Sequence, residues 1–129
     1  MIKQDYLLRM IQEIITLLVN ALLNRQKIRK ENWVEYDDIT RQILEVPSEN
    51  LKDMSADEII QRYEGDPNQM GKTELAAMTM LKIADEMEDE QLVMKSRLRQ
   101  EGLALLEYVQ TEGDTYSIQR MALIAMLKG

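Results

Sequence analysis

The chain has 129 residues, enough for one domain and one modest core, and 45% of them are hydrophobic, which excludes a disordered chain. Its net charge of −7 disfavours nucleic acid as a partner, because phosphate binding needs concentrated Lys and Arg. Cys and His are both absent, so disulfides, thiolate or imidazole metal sites and Cys- or His-based nucleophile–base pairs are excluded.

The first element is a helix from Ile2 to about Arg29, a stretch with no Gly and no Pro. Leu7, Ile11, Ile14, Leu18 and Leu22 fall on one stripe. Met10, Leu17 and Ala21 widen it on one side, and Leu8, Ile15 and Val19 on the other. The apolar arc is about twice the width that one core face needs. It therefore calls for cover from two directions: the rest of the chain and either a second copy, a partner or a lipid surface. The alternative is that the chain threads this helix through its own middle. The uncharged run from Ile14 to Asn24 is closed by Glu13 and Arg25, short of the roughly 20 apolar residues a membrane span needs. Asp5, Arg9 and Glu13 also argue against a signal peptide. Arg25, Lys27, Arg29 and Lys30 are expected to face the negative end of the helix dipole.

A second helix is expected from Asn32, as N-cap, to Glu45, burying Trp33, Tyr36, Ile39 and Ile43 and stopped by Pro47. Ser48 to Met54 reads as a connector with room for one helical turn. Ser55-Ala56-Asp57-Glu58 is a capping box, opening a short third helix that Gly65 ends. Asp66-Pro67-Asn68-Gln69 starts a fourth helix running to about Glu88, with Asp66 as cap and Leu75, Met78, Leu81 and Ala84 as stripe.

The acidic residues from Asp85 to Glu90 read as a solvated bend, since they lack the ligand spacing of a calcium loop. Lys95, Arg97 and Arg99 are expected to neutralise it. A fifth helix covers about Gln91 to Thr111 with the stripe Leu98, Gly102, Leu105, Leu106 and Val109. Gly102 inside a helix marks a close crossing. A sixth helix covers about Tyr116 to Lys128, capped by Asp114 or Ser117. Its few polar positions are mainly Gln119, Arg120 and Lys128, and it is expected to touch the first helix. No alternating run or Asn-Gly or Asp-Gly hairpin turn signals a strand. The fold class read from this pattern is all-α: about six helices in antiparallel hairpins, with a long N-terminal helix, in a single domain over residues 1–129.

The opening MIKQDYLLRMI, the middle MSADEIIQRY and the close GDTYSIQRMALIAMLK together resemble a bacterial family of uncharacterised small all-helical proteins, likened to tetratricopeptide-repeat folds. That resemblance implies a compact helical-hairpin protein of the bacterial cytoplasm with a scaffolding role, and it transfers no catalytic residue. The tetratricopeptide signature itself is not found in any window.

No Gly-rich phosphate loop, nucleophile elbow or metal-ligand helix pair is present, so the chain reads as non-enzymatic, with no cofactor and no metal site. The expected function is a helical protein–protein interaction or scaffold module, a homodimer or a binder of another protein. The surface would be Leu7, Ile11, Ile14, Leu18 and Leu22. The alternative is a small-ligand or lipid-binding regulator with a Met-lined pocket, because ten Met and no Phe make an adaptable core. Neither nucleic acid nor a membrane span enters either reading. The missing Cys fits a cytoplasmic protein.

Overall fold

In the computed structural model, which describes residues 3–129, seven α-helices follow one another. They are Gln4–Leu23 (α1), Lys30–Leu44 (α2), Ser48–Leu51 (α3), Ala56–Tyr63 (α4), Gln69–Glu86 (α5), Leu92–Glu112 (α6) and Ile118–Lys128 (α7). A single 3-10 turn, Asp89–Gln91, precedes α6. No strand is present among the described residues. The seventh helix beyond the six expected is α3, one turn inside the Ser48–Met54 connector. The expected start of the first helix at Ile2 lies outside the described residues.

The centre of the molecule is α5, not α1. Every residue from Thr73 to Leu81 is buried, and α5 packs against α1, α2, α3, α4 and α6. A helix enclosed all round normally reads as apolar all round. Here Thr73 and Thr79 hide their hydroxyls by donating to the carbonyls of Gln69 (2.7 Å) and Leu75 (2.8 Å). Glu74 finds a cation. The short side chains of Ala76 and Ala77 keep the neighbours close.

The first helix stops six residues before the expected end. Its last turn closes with the Gln26 N–H on the Ala21 carbonyl (2.9 Å) and the Arg25 N–H on that of Leu22 (3.3 Å). This is a Schellman turn, which places Arg25 in the left-handed region at φ 55°. A glycine there would have announced the stop, but an arginine did not. Lys27, Arg29 and Lys30 therefore lie beyond α1, and Lys30 opens α2, so they do not sit in the last turns of α1. Likewise α2 begins at Lys30 with Arg29 as N-cap, and Asn32 is already inside the first turn. At α5 the Asp66 carboxylate accepts the Asn68 N–H (2.7 Å) in a turn before the helix, and Asn68, not Asp66, is the N-cap.

The wide apolar arc of α1 is covered by the chain itself. Met10, Ile11, Ile14, Ile15, Leu18 and Val19 are buried against α2, α5 and α7, while Leu7, Leu17, Ala21 and Leu22 are half-buried. Leu8 alone in that arc is exposed, at 45%. By length and mean hydropathy α1 is the one helix among the described residues long and apolar enough to cross a membrane, a test that the core helix of a folded domain also passes; here its apolar flanks are used inside the core. The expected contact between the first and last helices is present.

The capping box at the start of α4 forms as read: the Glu58 N–H donates to Ser55 Oγ (3.2 Å) and the Ser55 N–H to the Glu58 carboxylate (3.1 Å). Gly65, at φ 83°, turns the chain after α4. The α6 stripe of Leu98, Gly102, Leu105, Leu106 and Val109 is the buried set of that helix. Two α6 side chains one turn apart grip the segment before α4: Arg97 donates to the Lys52 carbonyl, and the Glu101 carboxylate accepts the Ala56 N–H. Lys95 donates to the Met87 carbonyl (3.3 Å). Lys95, Arg97 and Arg99 thus form no ion pair with the acidic bend among the described residues, correcting the expectation that they neutralise it.

Candidate functional site: the surface around the last helix

The last helix carries three features in eleven residues: a buried ion pair, two bordering depressions and an open apolar face. Ser117 caps it by accepting the Arg120 N–H (3.1 Å), which settles the choice between Asp114 and Ser117. The inward face holds Leu123, with Ile124 and Leu127 half-buried beside it.

Arg120 is the residue that sequence reasoning missed. It was expected among the polar positions of this helix, yet it is 1% exposed. Its guanidinium donates from Nε to Gln110 Oε1 (2.8 Å), from Nη1 to Glu74 Oε2 (2.9 Å) and from Nη2 to the Thr115 carbonyl (2.6 Å). One side chain thus ties together α5, α6, the α6–α7 turn and α7. Removing two charges from water is costly, and the geometry offsets that cost only because each donor nitrogen has a partner. No buried side-chain nitrogen or oxygen is left unpartnered among the described residues.

The pair floors a groove of about 490 Å³ between α1, α5 and the start of α7, with Ile15, Val19 and Met78 on its apolar side. Because Arg120 spends its fork inside the protein, the groove offers no free cation to a ligand. A second depression of about 310 Å³ lies at the other end, where Leu22, Leu81, Leu123, Met126 and Leu127 meet Arg25, Asp85 and Arg99. It contains one Met, Met126. Met10, Met78 and Met80 are in the core.

The outward face of α7 is apolar. Ile118 is 73% and Met121 43% exposed, and Ala122 and Ala125 are exposed beside them at helical spacing. No described segment covers this stripe. Tyr116, 71% exposed, extends it towards the α6–α7 turn.

The stripe expected to mediate interaction lies elsewhere. Ile11, Ile14 and Leu18 are at most 1% exposed, in the core seam with α5. Leu7 and Leu22 are half-buried. In this fold Ile11, Ile14 and Leu18 join α1 to its own chain, while Leu7 and Leu22 keep part of their surface open. Trp33 and Tyr36 stack at 6.3 Å on the edge of the core, with Lys82 Nζ 4.6 Å from the Trp33 ring.

The groups with displaced pKa values lie away from α7. Burial pushes the Tyr63 phenol up to about 12; its hydroxyl donates to the Leu44 carbonyl (2.7 Å). Burial works against ionisation of Asp66, but Lys72 and the Asn68 N–H hold its carboxyl below the usual value. Glu49 is lowered by its backbone hydrogen bond at the start of α3 and by Arg41. Among the described residues no three Asp or Glu side chains gather as metal ligands. The acidic bend is exposed at Glu88, Asp89 and Glu90.

No family model, curated protein or solved structure matches the chain. The described residues form an all-helical protein.

Proposed function

We propose that the protein is a non-enzymatic helical interaction module that associates with a second copy of itself through the outward face of α7. The observation that carries this reading is the uncovered stripe Ile118, Met121, Ala122 and Ala125. It moves the contact from the α1 stripe, which the core occupies, to the last helix.

The stripe is self-complementary. In an antiparallel pair of α7 helices with the two-fold axis between Met121 and Ala122, Ile118 meets Ala125 and Met121 meets Ala122. Every bulky residue then faces a small one, as a closed two-fold contact requires. The helix is also the only one among the described helices without Asp or Glu, so repulsion in a chain of net charge −7 is weakest here. One helix face is smaller than the roughly 800 Å² per partner of a standard interface, so the dimer is reversible.

Gln69 bonds Tyr108 (3.3 Å), Leu81 meets Gly102, and Lys95 reaches Met87, so contacts step in opposite directions along α5 and α6. This supports a helical-hairpin, tetratricopeptide-like arrangement of the kind implied by the resemblance to small bacterial helical proteins, with a cytoplasmic scaffold role.

Sedimentation equilibrium across a concentration series tests the reading. The average mass is expected to rise from 15.1 kDa towards twice that value, and Ala122→Arg is expected to hold it at the monomer. A wild-type mass fixed at the monomer through millimolar concentration overturns it, as does a dimer that Ala122→Arg leaves intact.

A further inference from the structure

The 310 Å³ depression beside α7 combines an apolar floor with two arginines and one carboxylate. Its floor is Leu22 from α1, Leu81 from α5, and Leu123, Met126 and Leu127 from α7. Leu81 and Leu123 are fully enclosed beneath it. At its mouth stand Arg25, just past α1, and Arg99 of α6, with Asp85 of α5. Neither guanidinium makes a hydrogen bond or an ion pair among the described residues, and neither does Asp85. The volume falls at the small end of ligand sites, roughly 300–1,000 Å³.

The backbone aims one of these cations. The Schellman turn that ends α1 holds Arg25 at φ 55°, where glycine is the residue of least strain. The chain places there a side chain that borders the cleft. Two guanidiniums and one carboxylate leave the mouth with a single net positive charge. That balance matches a monoanion and disfavours a dianion, which Asp85 would repel. The leucine floor takes an apolar tail, and guanidinium forks bind carboxylates with directional, charge-assisted hydrogen bonds.

We infer that this cleft is a binding site for an amphiphilic monoanion, a medium-chain acyl carboxylate, with its head between Arg25 and Arg99 and its tail on Leu22, Leu81, Leu123 and Leu127. The site does not depend on the self-association proposed above.

Calorimetric titration of the full-length protein with decanoate, below its micelle concentration, tests the inference. Saturable binding at one decanoate per chain is expected. Decanol, with the same tail and no charge, is expected to bind at least about tenfold more weakly, and inorganic phosphate not to bind. Arg99→Gln and Arg25→Gly are each expected to weaken decanoate about tenfold. Arg25→Gly relieves the left-handed strain, so its unfolding temperature is expected not to fall, and lost binding then reports the charge, not the fold. Non-saturable heat, equal binding of decanol, equal binding of phosphate, or unchanged affinity in the Arg25→Gly, Arg99→Gln double variant each overturns the site. Ala122→Arg, placed on the outward stripe, is expected to bind decanoate as wild type does, which separates a failure of the site from a failure of the dimer.

Discussion

Gly102 of α6 lies so close to Leu81 of α5 that a Cβ on the glycine would sit 2.8 Å from both Cγ and Cδ2 of the leucine. The Ala77 carbonyl is the next neighbour, at 3.6 Å. A close crossing between α5 and α6 is thus made by a residue that weakens α6. Gly102→Ala would improve helix propensity by about 1 kcal/mol in isolation. Overpacking at the crossing typically costs about 1–3 kcal/mol, so the net expectation is a loss. Urea unfolding of Gly102→Ala measures it. In a Leu81→Ala background the same glycine substitution is expected to cost less than in the wild type, because the atoms that the new methyl meets are gone. Independent, additive effects of the two substitutions would place the crossing elsewhere.

Arg120→Met is expected to destabilise by about 3–5 kcal/mol, since it leaves Glu74 buried without its cation. The double variant Arg120→Met, Glu74→Leu is expected to regain much of that stability, because an apolar pair of similar volume requires no desolvation of charge. Denaturant midpoints of the two variants decide the matter. Equal midpoints would show that Glu74 tolerates isolation.

The phenol of Tyr63 sets an alkaline limit. Its pKa is raised to about 12 by burial from an ordinary value of 10.0, so the native state keeps its proton longer than the unfolded chain does. The stability this contributes is complete below pH 10 and is lost as pH rises from there towards 12. Tyr63→Phe is expected to flatten stability across that window. At neutral pH it is expected to cost about 1 kcal/mol, through loss of the hydrogen bond to Leu44. Thermal unfolding at pH 7 and pH 11 reads both effects.

Glu45 ends α2 at φ 57°, a conformation that glycine adopts without strain. Its N–H still donates to the Arg41 carbonyl (2.8 Å), and its carbonyl accepts from Arg62 (2.9 Å). Neither bond needs the side chain. Glu45→Gly is therefore expected to stabilise the protein by about 0.5–1 kcal/mol, less the extra freedom gained by the unfolded chain. A lower unfolding temperature would show that the Glu45 side chain itself contributes.

What was legible in the sequence was local or periodic. The Ser55–Glu58 box, the Ser117 cap, the α6 stripe and the meaning of Gly102 are each written within a few residues of where they act. The end of α1 was not legible because Arg25 occupies a position usually marked by glycine. The central place of α5 was hidden by Thr73, Glu74 and Thr79, which look polar until their hydroxyls and carboxylate are paired. Arg120 was read as surface for the same reason, its carboxylate partner lying 46 residues away. The apolar surplus of α1 was real, but periodicity cannot say which neighbours absorb it. The depression at Arg25 and Arg99 joins four helices, and nothing in the order of residues brings those two arginines together.

The grip of Arg97 and Glu101 on Lys52 and Ala56 has a consequence for how the chain assembles. Each of these bonds spans 45 residues, so the stretch around α3 and the first turn of α4 lacks them until α6 has arrived. During synthesis that stretch would emerge first and wait, its amides open to solvent and to proteases. Cleavage within residues 48–55 then becomes a clock for the docking of a helix some forty residues downstream.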